Sequence, residues 1–166
     1  HPGFPSTSLA QKLAEEMGIT LVRVQHHHAH LASLLAENRM PKESTIVCIA
    51  ADGYGYGPEG EAWGGEVLIG GYGSYVRVGS LDEYPLPAGD TSARRYGWLV
   101  AGLLHGIIGE EKLIGLLEER CLPGFIHGKT EIRHVLRILD SGRYTETSSC
   151  GRLLDASACI LGAAYR

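Results

Sequence analysis

Four imidazoles stand within five consecutive positions of the run Gln25-His26-His27-His28-Ala29-His30. Packing alone gives little reason for so many ring nitrogens together. The run follows Ile19-Thr20-Leu21-Val22-Arg23-Val24 and continues as Leu31-Ala32-Ser33-Leu34-Leu35-Ala36-Glu37, apolar at helical spacing. On a helix, His26 and His30 lie one turn apart on one face. Two neutral imidazoles held that way, with a third ligand from elsewhere, can bind one Zn²⁺ or iron ion. The competing explanation is a solvated helix N-terminus. A purification tag does not fit, because the run is internal and broken by Ala29.

Asp52 follows the apolar run at residues 45–51 and precedes Gly53-Tyr54-Gly55-Tyr56-Gly57. Open α/β sheets place ligands at the carboxyl ends of buried strands. Glycines there let backbone N–H groups approach a phosphate, and the carboxylate can hold a metal ion. A tight hairpin produces the same glycine pattern, so both readings stand. Trp63-Gly64-Gly65-Glu66 offers a second carboxylate beside a permissive backbone; as a plain β-bulge it would leave Glu66 exposed. Asp90 precedes a predicted helix and reads as an N-cap. The stretch Ser148-Ser149-Cys150-Gly151-Arg152-Leu153-Leu154-Asp155 brings hydroxyls, a cation and a carboxylate together. A capped helix with an Arg152–Asp155 pair accounts for it equally well. The chain has no phosphate-binding loop of the G-x-x-x-x-G-K-[ST] kind and no G-x-S-x-G elbow. His105, His127 and His134 are isolated and read as structural or exposed.

The elements that must position these groups follow from periodicity. Residues 6–17 read as a helix capped by Ser6 or Ser8 and terminated by Gly18. Residues 19–24 read as a short β-branched strand. The His-bearing helix runs to about Asn38, with Pro41 barring its continuation. Residues 45–51 read as a strand buried on both faces, followed by strands at 61–69 and 75–78. Beyond Pro87 the texture becomes helical, with segments at 92–108, 110–119, 131–139 and 152–161, the last opened by Ser148-Ser149. Strands and helices in this order indicate α/β architecture with a largely helical C-terminal half.

With 166 residues, 44% hydrophobic and 20% charged, the chain suits one cored domain. A net charge of −4 without a basic tract gives no support to phosphate-backbone binding by a broad positive face. No apolar run approaches the ~20 residues of a membrane span, and no signal-peptide pattern opens the chain. Glycine, at 23 residues, is about twice the usual ~7% and concentrates between Gly53 and Gly79. Cys48, Cys121, Cys150 and Cys159 lie far apart without a C-x-x-C pair, which argues against a zinc knuckle or a disulfide framework. Cys48 and Cys159 read as core residues, and reduced thiols in the cytoplasm are the default. The first residue is His1 rather than Met, so an internal piece of a longer protein is expected.

Taken in order, His1-Pro2-Gly3-Phe4 with Ser6-Thr7, Val24-Gln25-His26-His27-His28-Ala29-His30, Asp52-Gly53-Tyr54-Gly55-Tyr56-Gly57, Trp63-Gly64-Gly65-Glu66, Pro87-Ala88-Gly89-Asp90 and the 148–156 segment resemble the HypF carbamoyltransferases. These are maturation factors of nickel–iron hydrogenases, and the resemblance covers essentially the whole chain. It implies an ASKHA-type domain of two lobes, actin-like and RNase H-like. Residues 1–40 would end the first lobe, and residues 44–166 would begin the second with a helical insertion. By the same resemblance, carbamoyl-adenylate is made from carbamoyl phosphate and ATP in a separate YrdC-like domain. The TsaD-like domain then passes the carbamoyl group to the C-terminal cysteine of the partner HypE.

Motif by motif, His26, His30 and Asp52 would ligate a divalent metal, Zn or Fe. Gly53, Gly55, Gly57, Gly151 and Asp155 would contact the nucleotide, and no catalytic residue is assigned. A cytoplasmic enzyme is implied, with no membrane partner and no nucleic-acid partner unless the TsaD-like alternative holds; a non-catalytic metal- or partner-binding remnant is the alternative outside enzymes. A weaker resemblance links the chain to the TsaD family, which transfers threonylcarbamoyl to tRNA, although its second-lobe loop reads more like SGGHT. The chain departs from HypF members at Ala88-Gly89-Asp90-Thr91-Ser92-Ala93-Arg94-Arg95-Tyr96-Gly97-Trp98, where they tend to read GGD-x-A-x-R-E-P-W-R. No catalytic role is therefore carried to Asp90. A further aspartate ligand and a glycine-rich nucleotide motif of the family would lie beyond Arg166.

Overall fold

The computed structural model describes residues 1–166 except for the side chain of Asp90, so the N-cap reading of that residue lies outside the described residues. A five-stranded mixed sheet carries the fold: β1 (Ile46–Tyr56), β2 (Ala62–Gly70), β3 (Tyr75–Ser80), β4 (Tyr84–Pro87) and β5 (Tyr144–Thr147). β2 is central. It pairs antiparallel with β1 along one edge. Its other edge is shared by β3, antiparallel over Glu66–Gly70, and β5, a parallel bridge from Ala62 to Thr147. β4 closes the far edge against β5. Neither β4 nor β5 is apparent in the periodicity. Pro85 and Pro87 disguise β4, yet an edge strand tolerates prolines because it need not donate on its open side.

The first helix, α1 (Pro5–Met17), starts on Pro5 with Phe4 as N-cap, not on a serine cap. A proline at the first helical position gives up an N–H that would be unpaired anyway. Gly18, at φ 64°, ends it in the left-handed conformation. The strand expected at residues 19–24 does not form: the segment has no regular structure, and Ile19, Val22 and Val24 are exposed. β-branched side chains favour a strand only where a neighbouring edge supplies hydrogen bonds and a surface to pack on.

The second helix, α2 (His26–Glu37), is capped by the Gln25 side chain, which accepts the His28 N–H at 2.9 Å. Its buried stripe is His27, Leu31 and Leu35, which packs with Cys48 of β1 and Leu68 of β2. That stripe fixes the rotation of the helix about its axis and turns the adjacent row, His26 and His30, toward β1. β1 runs past Asp52 instead of ending there, and a register shift between Ala51 and Gly55 bulges the strand at this point. Its faces also differ from expectation: Cys48 and Ala50 are buried while Val47 and Ile49 are exposed.

After β4 the helical half packs on the sheet. A 3-10 segment (Gly89–Arg94) leads into α3 (Tyr96–Leu104), shorter than the expected 92–108. α4 (Glu110–Leu116) continues through a wider π-type turn (Leu117–Cys121). α5 (Gly128–Asp140) buries Ile132, Val135, Leu136 and Leu139 at helical spacing. α6 (Cys150–Ile160) is capped by Ser149, whose hydroxyl accepts the Arg152 N–H at 3.1 Å. Trp98, Leu99, Leu113, Leu117, Phe125, Cys121 and Cys159 share this core. Among the described residues, no helix is long and apolar enough to cross a membrane.

Candidate metal centre and nucleotide-side cavity

The stripe on α2 and the bulge in β1 bring three polar side chains together. His26 Nε2 lies 2.7 Å from Asp52 Oδ2, His30 Nε2 lies 3.5 Å from the same oxygen, and the two imidazole Nε2 atoms are 3.1 Å apart. All three ligand atoms fall within 4.8 Å of one another. Ligand atoms about a tetrahedral Zn²⁺, with bonds of about 2.0–2.1 Å, would stand roughly 3.3 Å apart. The donor set is also chemically apt. Protons alone satisfy it badly: once His26 Nε2 donates to Asp52 it keeps no lone pair for His30. The side chains are accessible, with His26 and His30 about half exposed.

Asp52 is poised to be an anion. Burial pushes its carboxyl up, but hydrogen bonds from the His26 side chain and the Gly53 N–H (2.6 Å) more than offset this and hold it below its usual range. His27 occupies a different environment from its neighbours. It is fully buried, its Nε2 has no hydrogen-bond partner and lies 3.7 Å from Asp52 Oδ2, and burial lowers its pKa. His28 is used structurally, its Nε2 2.9 Å from the Gly71 carbonyl and its ring 4.9 Å from that of Tyr75.

The glycines divide into two groups. Gly53 faces Arg152, whose Nη2 would lie 3.2 Å from an added Cβ, and Gly151 of α6 packs directly on Gly53. Gly53 and Arg152 line a cavity of about 380 Å³ with Tyr54, Leu86, Ala93 and Thr145. Arg152 is held over Gly53 by Asp155 at 3.0 Å and by the Ala93 carbonyl at 3.3 Å. Gly55 and Gly57 are close-packed. A Cβ on Gly55 would overlap the rings of His27 and His26, and one on Gly57 would overlap Glu61 and Trp63. Their glycine identity therefore needs no ligand to explain it.

Of the two readings of Glu66, the carboxylate beside a permissive backbone holds and the exposed β-bulge residue does not. Glu66 is fully buried, not exposed, and accepts hydrogen bonds from the Gly64 and Gly65 N–H groups, Arg77 and the Ser148 hydroxyl. Burial alone would push its carboxyl up; Ser148, Arg77 and Gly64 hold it below the ordinary value. Its partners Arg77 and Ser148 are distant in sequence, which is why only the Gly64-Gly65 pair hinted at it. Two of the histidines read as isolated have neighbours too: His105 lies 3.0 Å from Asp140, and His134 sits at the edge of Trp98.

Residues 48–166 match the family described as carbamoyltransferase, Kae1-like domain, second subdomain, and residues 1–37 match the HypF Kae1-like domain. The chain superimposes on the crystal structure of T. kodakarensis HypF with a TM-score of 0.88 at 38% identity, covering 100% of this chain and 22% of that one. It also matches full-length HypF in the phosphate- and nucleotide-bound form, with a TM-score of 0.83 at 28% identity over 100% of this chain and 20% of that one. Among curated relatives, a carbamoyltransferase HypF homolog of Cupriavidus necator is 38% identical over 100% of this chain and 40% of its own length. A probable carbamoyltransferase HypF of Methanocaldococcus jannaschii is 36% identical over 99% and 21%.

The fold is thus a mixed α/β domain of the Kae1-like, ASKHA-related class. Within that class, the chain belongs to the HypF carbamoyltransferase family. It spans about two fifths of the length of one such relative and about a fifth of the others.

Proposed function

We propose that this chain carries the carbamoyl-transfer site of a HypF-type protein acting in the cytoplasm during hydrogenase maturation. The donor is carbamoyl-adenylate, formed from carbamoyl phosphate and ATP. The acceptor is the C-terminal cysteine of a HypE-like protein. Residues 1–40 belong to the end of one lobe and residues 44–166 to the start of the other, in line with the two family matches, which meet between residues 37 and 48. The observation that carries the reading is the convergence of His26, His30 and Asp52 in a chain of this family.

In this mechanism, His26 and His30 hold a divalent ion, Zn or Fe, through Nε2 while Asp52 supplies the anionic ligand. When bound, the ion supplies positive charge that offsets phosphate and polarises the carbamoyl carbonyl. Gly53 lets the adenylate approach the backbone, and Asp155 holds the Arg152 guanidinium beside it, where it can meet an anionic oxygen. Gly151 acts by letting α6 close onto Gly53. The acceptor thiol loses its proton to solvent, and its thiolate attacks the carbamoyl carbon. The C–S bond forms as the C–O bond to the adenylate phosphate breaks, and AMP leaves with the bonding pair. A solved relative in a phosphate- and nucleotide-bound form supports the nucleotide part of the reading. The tRNA alternative draws no support from the relatives' names or from the net charge of −4.

The test is made in the natural protein that carries these residues. His30→Ala is expected to abolish carbamoylation of the acceptor's C-terminal cysteine, read by mass spectrometry, while adenylate formation persists. A carbamoylated cysteine produced by the His30→Ala protein would refute the assignment. Because the chain spans only a fraction of its relatives, the 166 residues alone are expected to leave the acceptor unmodified.

A further inference from the structure

We propose that Glu66 is a positioning residue for the His26–His30–Asp52 centre, a role that rests on the metal reading above. Glu66 lies on β2, two strand positions beyond Gly64, and its side chain is 0% exposed. One carboxylate oxygen accepts the Gly64 N–H at 3.0 Å, the Gly65 N–H at 3.3 Å and the Ser148 hydroxyl. The other accepts Arg77 Nε at 2.6 Å. A single buried anion therefore ties together β2, β3 and the segment that opens α6. A buried ion pair is weak evidence of stabilisation, since an apolar replacement often serves as well. What an apolar group does not supply here is four directed acceptor contacts to three separate stretches of chain.

Two routes lead from Glu66 to Asp52. The first is along the backbone. Gly64, whose N–H Glu66 holds, packs so closely that a Cβ there would lie 2.8 Å from the Asp52 carbonyl oxygen and 2.8 Å from Ser149 Cα. Ser149 in turn donates from its hydroxyl to the Gly53 carbonyl at 2.7 Å. The second is through side chains. The Arg77 guanidinium, fixed by Glu66, lies 4.5 Å over the Trp63 ring. Trp63 stacks at 6.1 Å and 25° against the buried His27, whose Nε2 faces Asp52 Oδ2 at 3.7 Å. The main chain at Asp52 and the ring beside its carboxylate are thus both referred to the same buried anion. Outer contacts of this kind set the orientation, and with it the affinity, of metal ligands.

The experiment is titration of the purified protein with Co²⁺, followed by calorimetry and by the visible absorption of the bound ion, alongside thermal unfolding in the presence of chelator. Glu66→Gln keeps the side-chain shape but turns an amide N–H₂ toward Arg77 or toward the Gly64 N–H. It is expected to weaken Co²⁺ binding at least tenfold and to shift the absorption band while cooperative unfolding persists. Arg77→Met, at a partly exposed position, removes the other end of the pair and is expected to weaken binding three- to tenfold. A merely structural Glu66 would lower the unfolding temperature yet leave the affinity and spectrum of the folded protein unchanged. Wild-type affinity and spectrum in folded Glu66→Gln would overturn the role. Should that variant not fold, unchanged affinity in Arg77→Met would do the same. A wild-type protein that binds no Co²⁺ would instead overturn the metal reading itself, and this role with it.

Discussion

Gly151, in the first turn of α6, meets Gly53 of β1 backbone to backbone: a Cβ on Gly151 would stand 2.7 Å from Gly53 Cα and 3.1 Å from its nitrogen. The contact seats the α6 N-terminus on the strand beside Asp52. Gly151→Ala must push two backbones apart. We expect a loss of about 1–3 kcal/mol in urea unfolding, with α6 displaced from β1. A variant as stable as wild type would show that the helix can shift at no cost, and the proposed role of Gly151 would fall.

Gly55 distinguishes packing from ligand contact. Its missing side chain leaves room for His27 and His26, whose ring atoms an added methyl would overlap. Gly55→Ala is therefore expected to weaken Co²⁺ binding more than tenfold with no nucleotide present. Gly18→Ala provides a control. It imposes a left-handed φ of 64° on alanine, with nothing within 4 Å of the added methyl, and should cost about 1 kcal/mol of stability without changing metal affinity. Equal metal affinity in Gly55→Ala and wild type would count against the packing role.

His27 should behave unlike the proposed ligands beside it. Considered on an isolated helix, it points about 100° from His26 and looks dispensable. In the fold it belongs to the buried stripe with Leu31 and Leu35. His27→Ala is expected to destabilise the protein by about 2–4 kcal/mol through the void it leaves, whereas His30→Ala, at an exposed position, should change stability little. Circular dichroism during heating separates the two; similar unfolding temperatures for both variants would contradict the burial argument.

How much of this was legible in the sequence depends on the range of the interactions. His26, His30 and the neighbouring apolar stripe are read from spacing within a single helix, and Asp52 from its place after an apolar run. Gly151 and Arg152 were recognisable because Ser149 caps their helix locally. Glu66 was not, because the groups that make its burial tolerable, Arg77 and Ser148, are brought to it only by strand pairing and by the return of the chain before α6. The 19–24 segment has strand-forming side chains but gains no strand partner among the described residues. β4 was hidden by prolines that an edge position accommodates.

Glu131 makes a pH prediction in the helical half. It is 4% exposed and receives the His127 N–H at 2.7 Å, the Trp98 indole N–H at 2.6 Å and Arg95 Nη1 at 2.8 Å. Burial pushes its carboxyl up, but the His127 N–H, the Trp98 indole and Arg95 together bring it below its ordinary value of 4.5. A depressed folded-state pKa means the unfolded chain takes up the proton first. The stabilisation is therefore complete above about 4.5 and is lost as the pH falls through the folded-state value. Glu131→Gln should lower stability at neutral pH by about 1–3 kcal/mol and flatten the acid limb. Unfolding temperatures recorded from neutral to acidic pH check this; parallel curves for the two proteins would contradict it.

A single divalent ion held by His26, His30 and Asp52 would leave a direct stoichiometric trace. The most direct measurement is elemental analysis of protein purified without chelator, as wild type and as His26→Ala, His30→Ala and Asp52→Asn, with Lys12→Ala as a surface control. Close to one zinc or iron is expected per wild-type and control chain, and well under half of one in each of the three ligand variants. Equal metal content across all five proteins would contradict it.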